Sequence, residues 1–268
     1  MPEGHTLHRL ARRHQRCFAG HPVRISSPQG RFAGAASLVD GRVLRKADAH
    51  GKHLFHRYGP DAVVHVHLGL YGAFAEYPLP EEPPVGEVRM RMVGRTHWTD
   101  LRGPAACELL TDAEVKLLRG RLGPDPLRRD ADPERAFARI SASRAPVAGL
   151  LMDQSVLAGI GNVYRAELLF RHRVHPLAPG RSLDRPLWTE LWADLVSLMR
   201  QGVRRGRIDT VRDEHLPHVT GRAPRVDRHG GEVYVYRRAG APCLVCGTEI
   251  AVRLLAGRKL YWCPACQA

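Results

Sequence analysis

Four of the six cysteines in this 268-residue chain stand in two pairs near its end, Cys243-Leu244-Val245-Cys246 and Cys263-Pro264-Ala265-Cys266. Two such knuckles supply four thiolates, the full tetrahedral shell of one Zn²⁺ ion. A closed shell leaves no position for substrate, so this zinc is expected to hold structure rather than to drive a reaction. Between the knuckles, residues 250–255 and 259–262 predict a β-hairpin turning at Gly257-Arg258-Lys259. That turn is either a basic tip on a rigid mount or the end of a ribbon that only stabilises the chain. Cys17 and Cys107 are left over and read as ordinary buried residues.

A second candidate lies upstream. Gly159-Ile160-Gly161-Asn162 stands just before a helix that opens near Asn162. Small residues allow close approach, and the first N–H groups of a helix point outward unpaired. Such a turn suits a phosphate, with Asn162 adding a side-chain donor. It equally suits a tight connection between helices, and alone it decides nothing.

The charge narrows the choice of partner. Forty-one Lys and Arg face 27 Asp and Glu, a formal net of +14. An excess of this size favours a polyanion through counterion release, over a merely arginine-rich surface. No apolar run approaches the roughly 20 residues that span a bilayer, and the N-terminus lacks the apolar core of a signal peptide. The expectation is a soluble, intracellular nucleic-acid-binding protein, in which paired cysteines mean metal rather than disulfides.

The elements that must position these residues fall into blocks. Residues 6–18 carry Leu7, Leu10, Ala11, His14 and Phe18 at helical spacing. From about 22 to 110, short apolar runs are separated by Gly and Pro, which predicts a β-sandwich or barrel. Residues 123–133 concentrate proline and charge and mark a boundary. Beyond it, residues 133–141, 146–152, 162–171 and 187–204 predict helices, the last capped by Asp184. Residues 205–240 read as a flexible loop with a short strand at 233–236.

In combination these features resemble a known family. Met1-Pro2-Glu3-Gly4, Gly51-Lys52-His53-Leu54, residues 153–167 and the cysteine pairs are similar, in order and over essentially the whole chain, to the formamidopyrimidine-DNA glycosylase/endonuclease VIII family. The resemblance implies an α+β fold. Residues 2–120 would form a catalytic β-sandwich flanked by helices, residues 126–220 a helix–two-turn–helix domain, and residues 236–268 the zinc-finger hairpin, with DNA in the cleft. It also implies damaged DNA as the partner of a monomer that meets no membrane and works at the bacterial nucleoid.

The same resemblance assigns the chemistry. Removal of Met1 leaves Pro2 as a secondary amine, and an α-amino group of pKa about 8 is partly unprotonated near neutrality. Pro2 would attack C1′ of the sugar and form a Schiff base, with Glu3 as acid–base group and Lys52 assisting from a β-hairpin. Asn162 and Arg258 would hold the flanking phosphates, Arg258 counting also among the catalytic residues. The target nucleotide must leave the stack, and Leu70 and Tyr71 would fill the gap as an apolar wedge unless both are strand residues of the core. Without the resemblance, Pro2, Glu3 and Lys52 would be unremarkable.

The start Met-Pro-Glu-Gly, the Leu70-Tyr71 pair and the lack of a Phe wedge in Asp100-Leu101-Arg102-Gly103-Pro104 favour the endonuclease VIII branch and oxidised pyrimidines. The competing readings are a purine-lesion glycosylase and a non-enzymatic zinc-ribbon protein that binds DNA or RNA. One departure bears on the choice: many family members carry Glu where this chain has Thr6, which can hydrogen-bond but holds no charge. The fifteen histidines are expected mostly at the surface.

Overall fold

The computed structural model describes residues 2–226 and 231–268. The chain divides into two compact units, residues 1–121 and 122–268. Met1 and residues 227–230, part of the stretch expected to be a loop, lie outside the described residues.

The first unit opens with helix α1, Gly4–Phe18. Its buried residues, Gly4, His5, Leu7, Ala11, His14 and Phe18, recur at helical spacing, while Arg9, Arg12 and Arg16 face outward. Eight strands follow: β1 (Arg24–Ser26), β2 (Lys46–His50), β3 (His53–Gly59), β4 (Ala62–His67), β5 (Ala73–Pro78), β6 (Val88–Val93), β7 (His97–Arg102) and β8 (Ala106–Leu110). They form two antiparallel four-stranded sheets, β1-β6-β7-β5 and β2-β3-β4-β8. Leu54, Val64 and Val66 of one sheet share a core with Met90, Met92 and Leu101 of the other, so the sheets pack face to face. Helix α1 closes this core along β2 and β3; Gln15 accepts a hydrogen bond from the Ala47 N–H at 2.8 Å. Two further helices, α2 (Ala33–Val39) and α3 (Asp112–Gly120), flank the sandwich.

The second unit is helical. Helix α4 (Pro133–Ser141) starts on Asp132, whose carboxylate accepts from the Glu134 and Arg135 N–H groups. The short α5 (Val147–Leu150) stops before Met152, because the Asp153 carboxylate takes the Ser155 N–H and opens a turn. Helix α6 (Asn162–Arg171) is buried over nine of its ten residues and is the unit's central rod. Helix α7 (Arg185–Arg205) is capped by Asp184 at one end and by Gly206, at φ 76°, at the other. A short α8 (Pro217–Thr220) follows, and the unit ends in an antiparallel hairpin, β9 (Ala251–Leu255) with β10 (Arg258–Trp262).

Two expectations need correction. Residues 233–236 do not form a strand, and the described residues around them are anchored rather than loose. The Thr210 N–H donates to the Glu232 carbonyl at 2.8 Å, and the Gly231 N–H to Ile208 at 3.1 Å. The backbone N–H groups of Tyr234, Val235 and Tyr236 point at the fully buried Glu167 carboxylate of α6, which also accepts from the Thr210 hydroxyl. A side chain thus supplies the acceptors that a neighbouring strand would have supplied. The second correction is in the hairpin. The turn is Ala256-Gly257, both at positive φ (48° and 70°), so Arg258 begins β10 instead of sitting at the apex.

Candidate functional site

In the first unit, the resemblance points to Pro2, Glu3, Lys52, Leu70 and Tyr71. Glu3 caps α1 with extended backbone, and its carbonyl accepts from the Thr6 N–H at 2.9 Å. Its side chain is fully buried, whereas Pro2 beside it is half-buried. A fully buried carboxyl therefore stands next to a half-buried proline. His5 is also buried; burial, then nearby positive charge, pushes its pKa down to about 4, so it is neutral at pH 7. Thr6 Oγ1 lies 3.4 Å from His5 Nε2.

Lys52 occupies the two-residue turn Gly51-Lys52 that joins β2 to β3, closed by the pair His50 and His53. Gly51 has φ 57° there. Leu70 and Tyr71 lie in the turn between β4 and β5, not in the sandwich core. They are 54% and 88% exposed, while Leu68 just before them is buried. The turn is held by its glycines: a Cβ on Gly72 would sit 2.3 Å from the Leu68 carbonyl oxygen, and Gly69 has φ 68° and abuts Ala105. Two large apolar side chains on a turn with little freedom face solvent, a placement no core role explains.

In the second unit, the turn before α6 is built on Gln154. Its amide donates to the Met152 and Ile160 carbonyls and accepts from the Gly159 N–H at 3.0 Å. Asn162 then opens α6, buried. Its Nδ2 donates to the Lys259 carbonyl at 2.9 Å, and its Oδ1 accepts from Arg165. This bond ties the hairpin to the helix and brings exposed Arg258, the residue before Lys259, to the start of α6. One amide hydrogen of Asn162 is therefore already committed, which the sequence did not reveal.

The four thiolates converge. Their sulfurs all lie within 4.8 Å of one another, with Cys243 to Cys266 at 3.9 Å and Cys246 to Cys263 at 3.5 Å. A tetrahedral zinc with Zn–S near 2.3 Å requires sulfurs about 3.8 Å apart, so the set fits the ion. The Val245 and Cys266 N–H groups each donate to a cysteine sulfur at 3.4 Å, as suits thiolate charge. Buried Gln267 docks the finger, accepting from the Cys263 N–H and donating to the Val174 carbonyl.

Sequence reasoning assigned no role to Glu167 or Gln154. The signal for Glu167 was present as the lone acid of α6. It also left the histidines unranked, and five that it expected mostly at the surface are paired or clustered inside the first unit. His14 and His56 meet at 2.9 Å, and His53, His65 and His67 group beside the Lys52 turn.

A sandwich unit, a helical unit with an anchored turn at α6, and a four-thiolate hairpin together define a zinc-stapled DNA glycosylase. Three family models match in that order: the formamidopyrimidine-DNA glycosylase N-terminal domain over residues 1–107, its H2TH domain over 122–213, and the zinc finger found in FPG and IleRS over 240–268. The chain is 59% identical over 274 residues to Endonuclease 8 1 of Mycobacterium tuberculosis (strain H37Rv), covering all of both chains. It is 30% identical to formamidopyrimidine-DNA glycosylase of Thermus thermophilus, covering all of this chain and 98% of that one. The fold matches that of Lactococcus lactis formamidopyrimidine-DNA glycosylase bound to DNA containing an abasic site, with TM-score 0.79, 20% identity and 99% of each chain covered.

The chain belongs to the formamidopyrimidine-DNA glycosylase family, in its endonuclease VIII-like part. It is a base-excision-repair DNA glycosylase with abasic-site lyase activity, its partner is damaged DNA, and it carries one structural zinc. No helix among the described residues is long and apolar enough to cross a membrane.

Proposed function

We propose that this glycosylase removes oxidised pyrimidines, with the Pro2 amine as nucleophile and Glu3 as its acid–base partner. The observation that carries the reading is the fully buried Glu3 carboxyl beside the half-buried Pro2. With Met1 removed, the nitrogen lone pair of Pro2 forms a bond to C1′ while Glu3 protonates the sugar ring oxygen. The bond from C1′ to the damaged base breaks, and the base takes up the proton shed by the Pro2 nitrogen; the C1′–O4′ bond then breaks, and the ring opens with O4′ leaving as a hydroxyl that carries the proton from Glu3. The product is an iminium, which withdraws electrons from C2′. Loss of a C2′ proton expels the 3′ phosphate, and a second elimination expels the 5′ phosphate. Hydrolysis of the iminium returns the free amine.

Lys52 supports this from the β2–β3 turn as a cation beside the sugar. Arg258 on β10, the second amide hydrogen of Asn162 and the first N–H groups of α6 hold the flanking phosphates. Leu70 and Tyr71 fill the space the nucleotide vacates, where an apolar wedge offsets part of the lost stacking. Pyrimidine preference is supported by 59% identity to an endonuclease 8 and by the exposed Leu-Tyr pair. The organisation proposed is a catalytic domain over 2–120, a helix–two-turn–helix domain over 126–220 and a finger over 236–268. A genomic substrate puts its work at the nucleoid in the bacterial cytoplasm.

The test is a borohydride-trapping panel over defined lesions, including 8-oxoguanine opposite cytosine. A covalent adduct is expected with abasic sites and oxidised pyrimidines, and trapping is expected to vanish in Pro2→Gly. Undiminished trapping in that variant would remove Pro2 from its role. Preferential trapping on 8-oxoguanine would reverse the substrate assignment.

A further inference from the structure

The outer face of the β2-β3-β4-β8 sheet carries an ordered array of histidines at its Lys52 end. Strand register sets two cross-strand rows. One runs His50, His53, His67; the next runs Asp48, Phe55, His65, Glu108. Side chains opposite one another on neighbouring strands stand within contact distance. His53 Nδ1 meets His65 Nε2 at 2.8 Å, and His65 Nδ1 meets Glu108 Oε1 at 2.9 Å. The His65 ring stacks on Phe55, and Arg119 of α3 covers Phe55 while pairing with Asp48. Packed or paired groups hold the second row from Asp48 across to Glu108.

The chain of contacts has one consistent assignment of protons. A carboxylate only accepts, so His65 Nδ1 donates to Glu108. In a neutral ring, His65 Nε2 is then the acceptor, so His53 Nδ1 must donate to it. That leaves the lone pair of His53 on Nε2. The surroundings keep the rings neutral. Burial, then the positive charge that His65, His67, His50 and Lys52 can carry, pushes His53 down to about 3. Burial also lowers His65, against the pull of Glu108, and lowers His67.

We infer that Glu108 and His65 are positioning residues for Lys52: by fixing the His53 ring and its tautomer they brace the turn that carries the amine. The inference rests on the proposed role of Lys52. Its physical content is twofold. The two-residue turn is closed by His50 and His53, so immobilising His53 limits how far Lys52 can swing. A neutral His53 also adds no positive charge beside the Lys52 ammonium, whereas a second ring proton would repel it. In the reversed tautomer His53 Nε2–H would point a donor where an acceptor now stands. Glu108, half exposed on the edge strand β8, acts at a distance through two imidazole rings.

Two measurements on the full-length zinc-loaded protein test this. Imidazole ¹⁵N spectra of the unmodified protein at pH 7 should show His53 and His65 both protonated on Nδ1; His53 protonated on Nε2 overturns the assignment. In nicking assays on abasic-site DNA, Glu108→Ala should lower kcat about 10-fold with KM little changed, and Glu108→Gln should restore most of the loss, because an amide oxygen still accepts from His65. His65→Phe keeps the stack on Phe55, removes the relay, and should match Glu108→Ala. Lys52→Ala is assayed alongside. Full activity there overturns the Lys52 reading and the positioning role with it. Activity lost in Lys52→Ala but kept in Glu108→Ala and His65→Phe overturns the positioning role alone. A Glu108→Gln variant no better than Glu108→Ala also overturns it, since a carboxylate charge rather than a tautomer lock would then be at work.

Discussion

The interior histidines of the first unit and the buried acceptors of the second hold polar groups in opposite ways. The first unit keeps its interior histidines uncharged: His14 and His56 sit in the core between α1 and β3, bonded to each other at 2.9 Å, and burial pushes both pKa values down. The second unit gathers acceptors and saturates them. The buried Glu167 carboxylate takes four hydrogen bonds, and four thiolates converge on a metal. A neutral buried pair is cheap until a proton arrives. A saturated acceptor holds its neighbours firmly but fails badly when the acceptor or the ion is removed. The units should therefore break under different insults, each able to fail without the other.

The largest effect is expected from the metal. A structural zinc contributes on the order of 10 kcal/mol to folding of its module. Chelation, or Cys263→Ser at a fully buried ligand, should unfold the finger and release Gln267 from Val174. Strand nicking should fall at least about 100-fold as Arg258 loses its mount. Hydrogen exchange in α1 and β3 should be unchanged. Zinc content measured beside activity checks this, and full nicking by metal-free protein would show that the finger is dispensable.

Glu167→Ala comes next. It strands three backbone N–H groups and the Thr210 hydroxyl in the core, at a cost of about 4 kcal/mol. Urea unfolding should register the loss, and exchange should rise first at Tyr234, Val235 and Tyr236. If exchange rises equally in the first unit, the division of labour between the units is wrong.

Acid should strike the other unit. His56 has its pKa lowered from 6.5 to about 4 by burial. A depressed folded-state pKa means that the contribution is full above pH 6.5 and is withdrawn as pH falls from 6.5 towards 4. The unfolded chain binds the proton first, so falling pH favours unfolding. The full window amounts to about 3 kcal/mol for this group. Stability followed from pH 7.5 to 4.5 should decline in α1 and β3 before it declines in α6, and His14→Leu with His56→Leu should flatten the slope. A slope unchanged by that double replacement would clear the pair of responsibility.

The same contrast explains what could be read in advance. Local signals worked where the cause was local. Asp184 marks the start of α7, and the bounds of α4 and α6 stand where periodicity put them. The two cysteine pairs announced their ion. Distant causes were invisible. Residues 233–236 look like a strand, but their acceptors are on a side chain about seventy residues upstream. The His14–His56 and His53–His65 contacts depend on strand register, which a histidine count does not contain. Ala256 at φ 48° is an unfavourable choice for a left-handed turn, so nothing local marks the turn as lying ahead of the expected Gly257-Arg258-Lys259.

That shift of the turn sharpens the smallest predicted effect. At the hairpin apex Arg258 would have been a mobile charge, and its loss would resemble the loss of any surface arginine. As the first residue of β10 it is paired with Leu255, and its neighbour Lys259 is fastened to Asn162. A side chain on so fixed a base contacts a phosphate with little entropy left to lose. Arg258→Ala should weaken binding to abasic-site DNA about 10-fold and reduce the slope of log K against log salt by about 1, with zinc content whole. Asn162→Ala leaves the Lys259 carbonyl only its 3.4 Å contact with Arg165 and weakens the brace, so it should reproduce part of the Arg258 loss. The two effects should then fall short of additivity when combined. Strict additivity would mean that Asn162 serves DNA only through its own contact and that its bond to the hairpin does nothing for Arg258.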